Sequence, residues 1–276
     1  MSNLVWVPLV ALSAQPSVLS TTFSTAQITS FTIVLFRVAG IMVFAPFYCG
    51  GAFPVQIKII LPLVVALTLA PMVPLAQFPA EFGLVQVVAA VLGEALVGML
   101  LGMTASFIFD GLQLAGQIIG FQLGFSIINV IDPQSAVEVS VISVLNNFVG
   151  LTLFLLINGH HWFFQAVSES LQYLPAGGVR LQGPLVEAIL RLSTQIFVSG
   201  LRIAAPVIAV TLIADVVLGM IGRVAPQINI LIVGMPVKTL VGLATLSIAL
   251  YFLPTLLSAA FIQLSHDLMG LVHSMR

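Results

Sequence analysis

The chain has 276 residues, 60% of them hydrophobic and 6% charged, with 8 basic and 9 acidic side chains and a formal net charge of −1. A soluble domain carries about 25% charged residues, so this composition excludes a surface that faces water throughout; most of it must meet lipid or protein. The near-neutral balance also excludes a polybasic face for nucleic acid and an acidic disordered tail.

Residues 1–27 form an N-terminal segment. Val5 to Ala14 has the length of a signal-peptide apolar region, but no Lys or Arg precedes Arg37. The positive flank of a cleaved signal is therefore missing, and the segment is expected to be retained. The first strong apolar stretch runs from about Ile28 to Ala45 with Arg37 in its middle. Pro46, Gly50, Gly51 and Pro54 break it. The one cysteine, Cys49, lies in that break; alone it forms neither an internal disulfide nor a zinc set, and it reads as a small packed side chain.

The second stretch, from about Ile59 to Leu75, carries Pro62, Pro71 and Pro74. The third runs from about Leu84 to Phe109 and contains Glu94; a glycine-rich segment from Gly111 to Ile131 follows and ends in Asp132-Pro133-Gln134-Ser135. The fourth spans about Val139 to Ile157 and stops at Asn158-Gly159-His160-His161. The most polar part lies between Glu169 and Arg191 and includes Pro175-Ala176-Gly177-Gly178, a turn signal. Two more apolar stretches close the chain, about Ile196 to Ile221 with Arg202 and Asp215, and about Ile228 to Leu257 with Lys238. At roughly 20 apolar residues per crossing, the pattern predicts five to seven helical crossings or hairpins. Long unbroken runs without alternation argue against a barrel of strands. The short loops hold too few Lys and Arg to set an orientation. Ala45-Pro46 with Pro54 and Lys58, and Ala225-Pro226 with Pro236 and Lys238, form a faint echo of two broken hairpins.

Arg37, Glu94, Arg202, Asp215 and Lys238 interrupt the apolar runs. Each would cost at least ~2.5–3.5 kcal/mol at the centre of a bilayer. They must pair, face water or meet a partner subunit. The readings are structural ion pairs, a proton or ion relay, or helices buried in an assembly; the sequence does not choose the pairs.

The segment GLQLAGQIIGFQLG, residues 111–124, repeats Gly116, Gly120 and Gly124 at every fourth position. At about 100° per residue, these glycines share a stripe about 100° wide with Gln113 and Gln117. Gly98 and Gly102 show the same spacing upstream. Such stripes let helix backbones approach closely, with amides bonding across the contact. The alternative is a movable element, since Gly lowers helix stability by about 1 kcal/mol relative to Ala. Leu123 to Val139 is the candidate for a broken, cavity-lining segment, because Asp132-Pro133 disfavours helix there. Irregular backbone at membrane depth is tolerated only where it is buried or lines a cavity.

No enzyme or cofactor signature is present. Adjacent His160 and His161 do not share a helix face, and a zinc site needs three or four spaced ligands. No phosphate loop, nucleophile elbow or HExxH helix occurs. His266 and His273 read as interfacial or exposed.

Five segments in order carry a family resemblance: LFRVAGIMVFAPFY, FPVQIKIILPLVVALTLAP, GQIIGFQLGFSIINVIDPQS, LFLLINGHHW and LGMIGRVAPQINILIVGMPVKTLVG. Together they resemble the FliR family of type III secretion export proteins, over about Ile28 to Leu250, on the flagellar rather than the injectisome branch. The resemblance implies a single export-gate domain over 1–276, an all-α membrane protein of broken helices and helical hairpins. It would be a FliP–FliQ-fusion-like subunit of a helical pore in the flagellar basal body of the inner membrane. It implies FliP-like and FliQ-like partners, an FlhB-like protein around the gate, an FlhA-like protein coupled to proton motive force, and unfolded flagellar proteins as cargo. The gate would sit largely above the hydrocarbon plane, its apolar helices covered by partner chains and lipid. A loop in this family plugs the closed pore. By alignment of motifs it falls on Leu123 to Val139, with Leu123, Gly124, Phe125, Ile127, Ile128, Asp132, Pro133, Gln134 and Ser135. Asp215 and Lys238 depart from the family pattern. The competing functions are a self-contained secondary transporter with Arg37, Glu94, Arg202 and Asp215 as its coupling site, and the injectisome counterpart of the same gate subunit.

Overall fold

A computed structural model describes residues 25–45, 48, 54–72, 84–125, 140–174, 183–227 and 229–275. Among the described residues seven α-helices follow one another: α1 Thr25–Phe44, α2 Val55–Leu69, α3 Leu84–Gln122, α4 Val141–Leu156, α5 His160–Tyr173, α6 Gly183–Val224 and α7 Ile230–Ser274. A 3₁₀ turn, Ala70–Met72, continues α2. No strand occurs among the described residues.

Three helices are far longer than a crossing. With 39, 42 and 45 residues, α3, α6 and α7 extend about 58, 63 and 67 Å at 1.5 Å per residue, against ~30 Å of hydrocarbon. Among the described residues four helical segments are long and apolar enough to span a membrane: Gln27–Phe44, Val85–Gln122, Leu185–Val224 and Ile232–Val272. The pair α4 and α5, bent by 68° at its break, makes a fifth if counted as one span. The described residues thus hold four or five spans, beside the five to seven crossings or hairpins that hydropathy predicts for the whole chain. The difference arises where predicted breaks are continuous helix. The glycine-rich segment from Gly111 is helical as far as Gln122, and α6 begins at Gly183, inside the region read as the most polar. Pro206, Pro236 and Pro254 sit inside α6 and α7 without ending them.

Helix α3 is the axis, packed against α1, α4 and α6, while α7 lies along α6. The main core joins Val38, Ile41, Val97, Leu101, Phe109 and Leu112 to Phe154 of α4 and Phe261 of α7. Its centre is an aromatic trio. Phe109 and Phe154 meet edge to face at 5.8 Å, and Phe261 lies 5.3 Å from Phe154. A smaller core gathers Ala115, Ile119 and Leu123 with Ile142, Ala204, Val207 and Leu246. The outward faces of α2, α6 and α7 are apolar and exposed, among them Ile59, Leu63, Leu212, Ile213, Leu240 and Ile248. A face of that chemistry requires lipid or another chain.

Candidate functional site

The α1–α3 crossing is built from glycines. A Cβ on Gly40 would overlap the Ala95 carbonyl oxygen, one on Gly98 the Arg37 carbonyl oxygen, and one on Gly102 the Ile41 carbonyl oxygen. The spacing of Gly98 and Gly102 thus brings two backbones together, the use that small-xxx-small stripes serve. The close approach presses the first ion pair into the interior. Arg37 of α1 and Glu94 of α3 are both fully buried. The Arg37 Nε donates to Glu94 Oε2 at 2.7 Å, and Nη2 is also paired with that oxygen. Arg37 Nη1 donates to Ser170 Oγ of α5 at 3.1 Å. The Ser170 hydroxyl donates to the Val167 carbonyl at 2.8 Å, which fixes its oxygen toward the guanidinium. This is a three-helix structural lock.

The remaining charges lie elsewhere. Lys238 Nζ of α7 donates to Asp215 Oδ2 of α6 at 2.6 Å, in a partly exposed setting. Two of the charges that interrupt the apolar runs are therefore each other's partners. Arg202 is exposed and forms no ion pair among the described residues. Arg37 with Glu94, Asp215 with Lys238, and Arg202 lie in three different settings. Asp110, in mid-α3, is a charge the hydropathy reading passed over by ending its stretch at Phe109. Its carboxylate accepts from Ser106 Oγ at 3.4 Å and is exposed.

Helix α3 divides its small and polar residues between two faces. A Cβ on Gly116 would overlap the Ser143 backbone of α4, and Ser143 Oγ donates to the Gln113 carbonyl at 3.0 Å. Gly120 is buried. Gln117, about 100° round the helix from Gly116, is exposed. Ser106, Asp110, Gln113 and Gln117 fall within about 60° of one another. They form a partly exposed polar stripe that runs toward the C-terminal end of α3.

That end is an anchored root. Gly124 has φ 84°. The Phe125 N–H bonds the Gly120 carbonyl at 3.0 Å and the Gly124 N–H bonds the Phe121 carbonyl at 3.1 Å. This is a Schellman cap, with glycine at the left-handed position. Thr239 Oγ1 of α7 donates to the Leu123 carbonyl at 2.8 Å, and the Leu123 side chain fills the space at Gly242 where a Cβ would be. A cleft of about 510 Å³ opens beside it, lined by Phe121, Gly124, Asp215, Gly219, Met235 and Lys238. Of the candidate plug residues, Leu123 is buried and Phe125 exposed, while Gly124 forms the cap. Ile127, Ile128, Asp132, Pro133, Gln134 and Ser135 lie outside the described residues.

The Asn158-Gly159 corner follows the same capping chemistry. Asn158 has φ 57°, Gly159 N–H bonds the Phe154 carbonyl at 2.9 Å, and Asn158 N–H bonds the Leu155 carbonyl at 3.0 Å. A Cβ on Gly159 would overlap the Phe154 ring. His160 and His161 meet edge to face at 4.4 Å. No cluster of three or more metal-ligating side chains occurs among the described residues.

The fold and these motifs meet in one family. The model of the bacterial export proteins, family 1, matches residues 28–264. The chain belongs to this family.

The flagellar biosynthetic protein FliR of Escherichia coli K12 is 32% identical over 77% of this chain and 81% of its own length. Its counterpart in Pectobacterium carotovorum is 31% identical over 79% and 83%. That of Caulobacter vibrioides is 28% identical over 83% and 91%. Membership of the FliR family makes the chain a component of the flagellar export apparatus and an all-α membrane protein. Three of its structural residues gave little sign in the sequence. Ser170 lies 133 positions from Arg37, Thr239 lies 116 from Leu123, and Asp110 was the only one with a readable signal, a charge within an apolar run.

Proposed function

We propose that the chain is a non-enzymatic, pore-forming subunit of the flagellar type III export gate in the cell inner membrane. In this reading residues 123–139 obstruct the conduit at rest, and gating is conformational, without covalent chemistry. FliP-like and FliQ-like subunits complete the pore, FlhB-like and FlhA-like proteins attach to it, and unfolded flagellar proteins pass through it. The observation that carries the reading is the anchored root at Leu123. A 39-residue helix ends in a glycine cap pinned to α7 by Thr239, so the next residues leave from a fixed point. A plug needs such a fixed origin. The polar stripe Ser106, Asp110, Gln113 and Gln117 approaches that point and offers water a wettable wall, where a lipid-facing stripe would be apolar.

The transporter reading requires Arg37, Glu94, Arg202 and Asp215 around one substrate. Their division into a buried three-helix lock, a separate α6–α7 pair and an isolated guanidinium weighs against it. The test is deletion of part of 126–139. The complex should assemble at normal levels, and the membrane should become permeable to ions and small solutes, read by dye influx or growth in high salt. A deletion strain that assembles the complex and stays tight rejects the plug role.

A further inference from the structure

Between α3, α6 and α7 lies a groove of about 350 Å³, separate from the root at Leu123. Its walls are apolar, with Phe107 and Ile108 from α3 and Leu256 and Leu264 from α7; Gln195 and Arg202 of α6 stand on its lining. Arg202 is mid-way along the apolar span Leu185–Val224. Among the described residues the groove has one carboxylate, Asp267. That carboxylate is already engaged: Gln263 Nε2 donates to its Oδ1 at 3.3 Å, and Arg191 Nη2 lies 3.7 Å from the same oxygen. Among the described residues Arg202 therefore has no ion-pair partner, and it stands beside an open apolar slot.

We propose that this groove binds an anionic phospholipid, its phosphate on the Arg202 guanidinium and an acyl chain along the Phe107, Ile108 and Leu256 wall. Guanidinium suits phosphate because its planar fork can give two parallel hydrogen bonds. Gln195 lies seven residues before Arg202, about 20° from it round the helix, which places an amide donor on the same face. The volume is that of a small-molecule site, and a lining that combines an apolar wall with Gln195 and Arg202 matches an amphiphile better than a soluble ion. Basic pockets between membrane helices take anionic headgroups in this way. Preference for a net negative headgroup follows from the missing counter-charge. A zwitterionic lipid brings its own ammonium and leaves Arg202 less fully compensated.

The test uses the export complex purified in mild detergent with its partner subunits. Retained phospholipids are measured by mass spectrometry against the membrane's own composition. Wild type should be enriched in phosphatidylglycerol or cardiolipin. Arg202→Gln should lower that enrichment severalfold, Arg202→Lys, which keeps the charge and loses the fork, should lower it less, and Ala260→Phe, which fills the groove, should lower it as Arg202→Gln does. Unchanged enrichment in Arg202→Gln overturns the proposal. A photo-reactive residue at Leu256 reads the groove with Arg202 intact, including where Arg202→Gln fails to assemble. A lipid adduct supports the site; a peptide adduct shows that a partner chain occupies it and overturns it.

Discussion

The Arg37–Glu94 pair gives a sharp test of how this fold is held together. Both side chains are fully buried, and the guanidinium is met by Glu94 and Ser170. Removing either partner strands the other charge in the interior, which costs about 3–5 kcal/mol. A domain's total stability is about 5–15 kcal/mol, so Arg37→Met or Glu94→Leu alone should remove roughly a fifth or more of it and sharply reduce the assembled complex. The double substitution removes both charges together. Apolar residues of similar volume in place of a buried pair are often neutral or stabilising, so the double variant should recover most of the loss. The coupling between the two sites should then exceed about 3 kcal/mol. Complex abundance in membranes and the melting midpoint of the purified complex read the cycle. Equal destabilisation by the two singles, added together in the double, would refute the argument that the cost lies in a stranded charge. The cycle also bears on mechanism. A structural lock predicts that the rescued double variant swims. A relay predicts full assembly without motility.

Close packing at the α1–α3 crossing predicts a contrast along one helix. Gly98→Leu should drive α1 from α3 and cost at least ~1–3 kcal/mol, seen as loss of the complex. Gly93→Leu, where an added Cβ meets nothing within 4 Å, should be tolerated by the same measure. At the corner between α4 and α5, Asn158→Gly should leave the melting midpoint nearly unchanged, since glycine takes φ 57° freely. Asn158→Val should cost ~1–2 kcal/mol for left-handed backbone with a side chain attached.

Much of the local architecture was legible. The apolar stretches near Ile28–Ala45 and Val139–Ile157 match α1 and α4 closely, because their ends are marked by Pro46, Asn158 and Gly159, residues whose backbone chemistry stops a helix. At Gly98 and Gly102 an added Cβ would overlap the backbone of α1. The long helices were not legible. In α3 and α7 the apolar residues run nearly all the way round, so no amphipathic phase shows where one span ends and another begins. Pro206, Pro236 and Pro254 sit inside α6 and α7 without ending them. The glycine segment showed the same limit. Gly116, Gly120, Gln113 and Gln117 share one stripe in projection, yet α4 takes the Gly116 edge and leaves Gln117 exposed.

Composition alone determined the class of molecule, since a chain this poor in charge has no other way to cover its surface than with lipid or protein. The motif order determined its family. Only the tertiary structure decided which charges meet. Arg37 and Glu94 stand 57 positions apart, and Coulomb attraction depends on distance in space, which the α1–α3 glycines set and which no local pattern in the chain records.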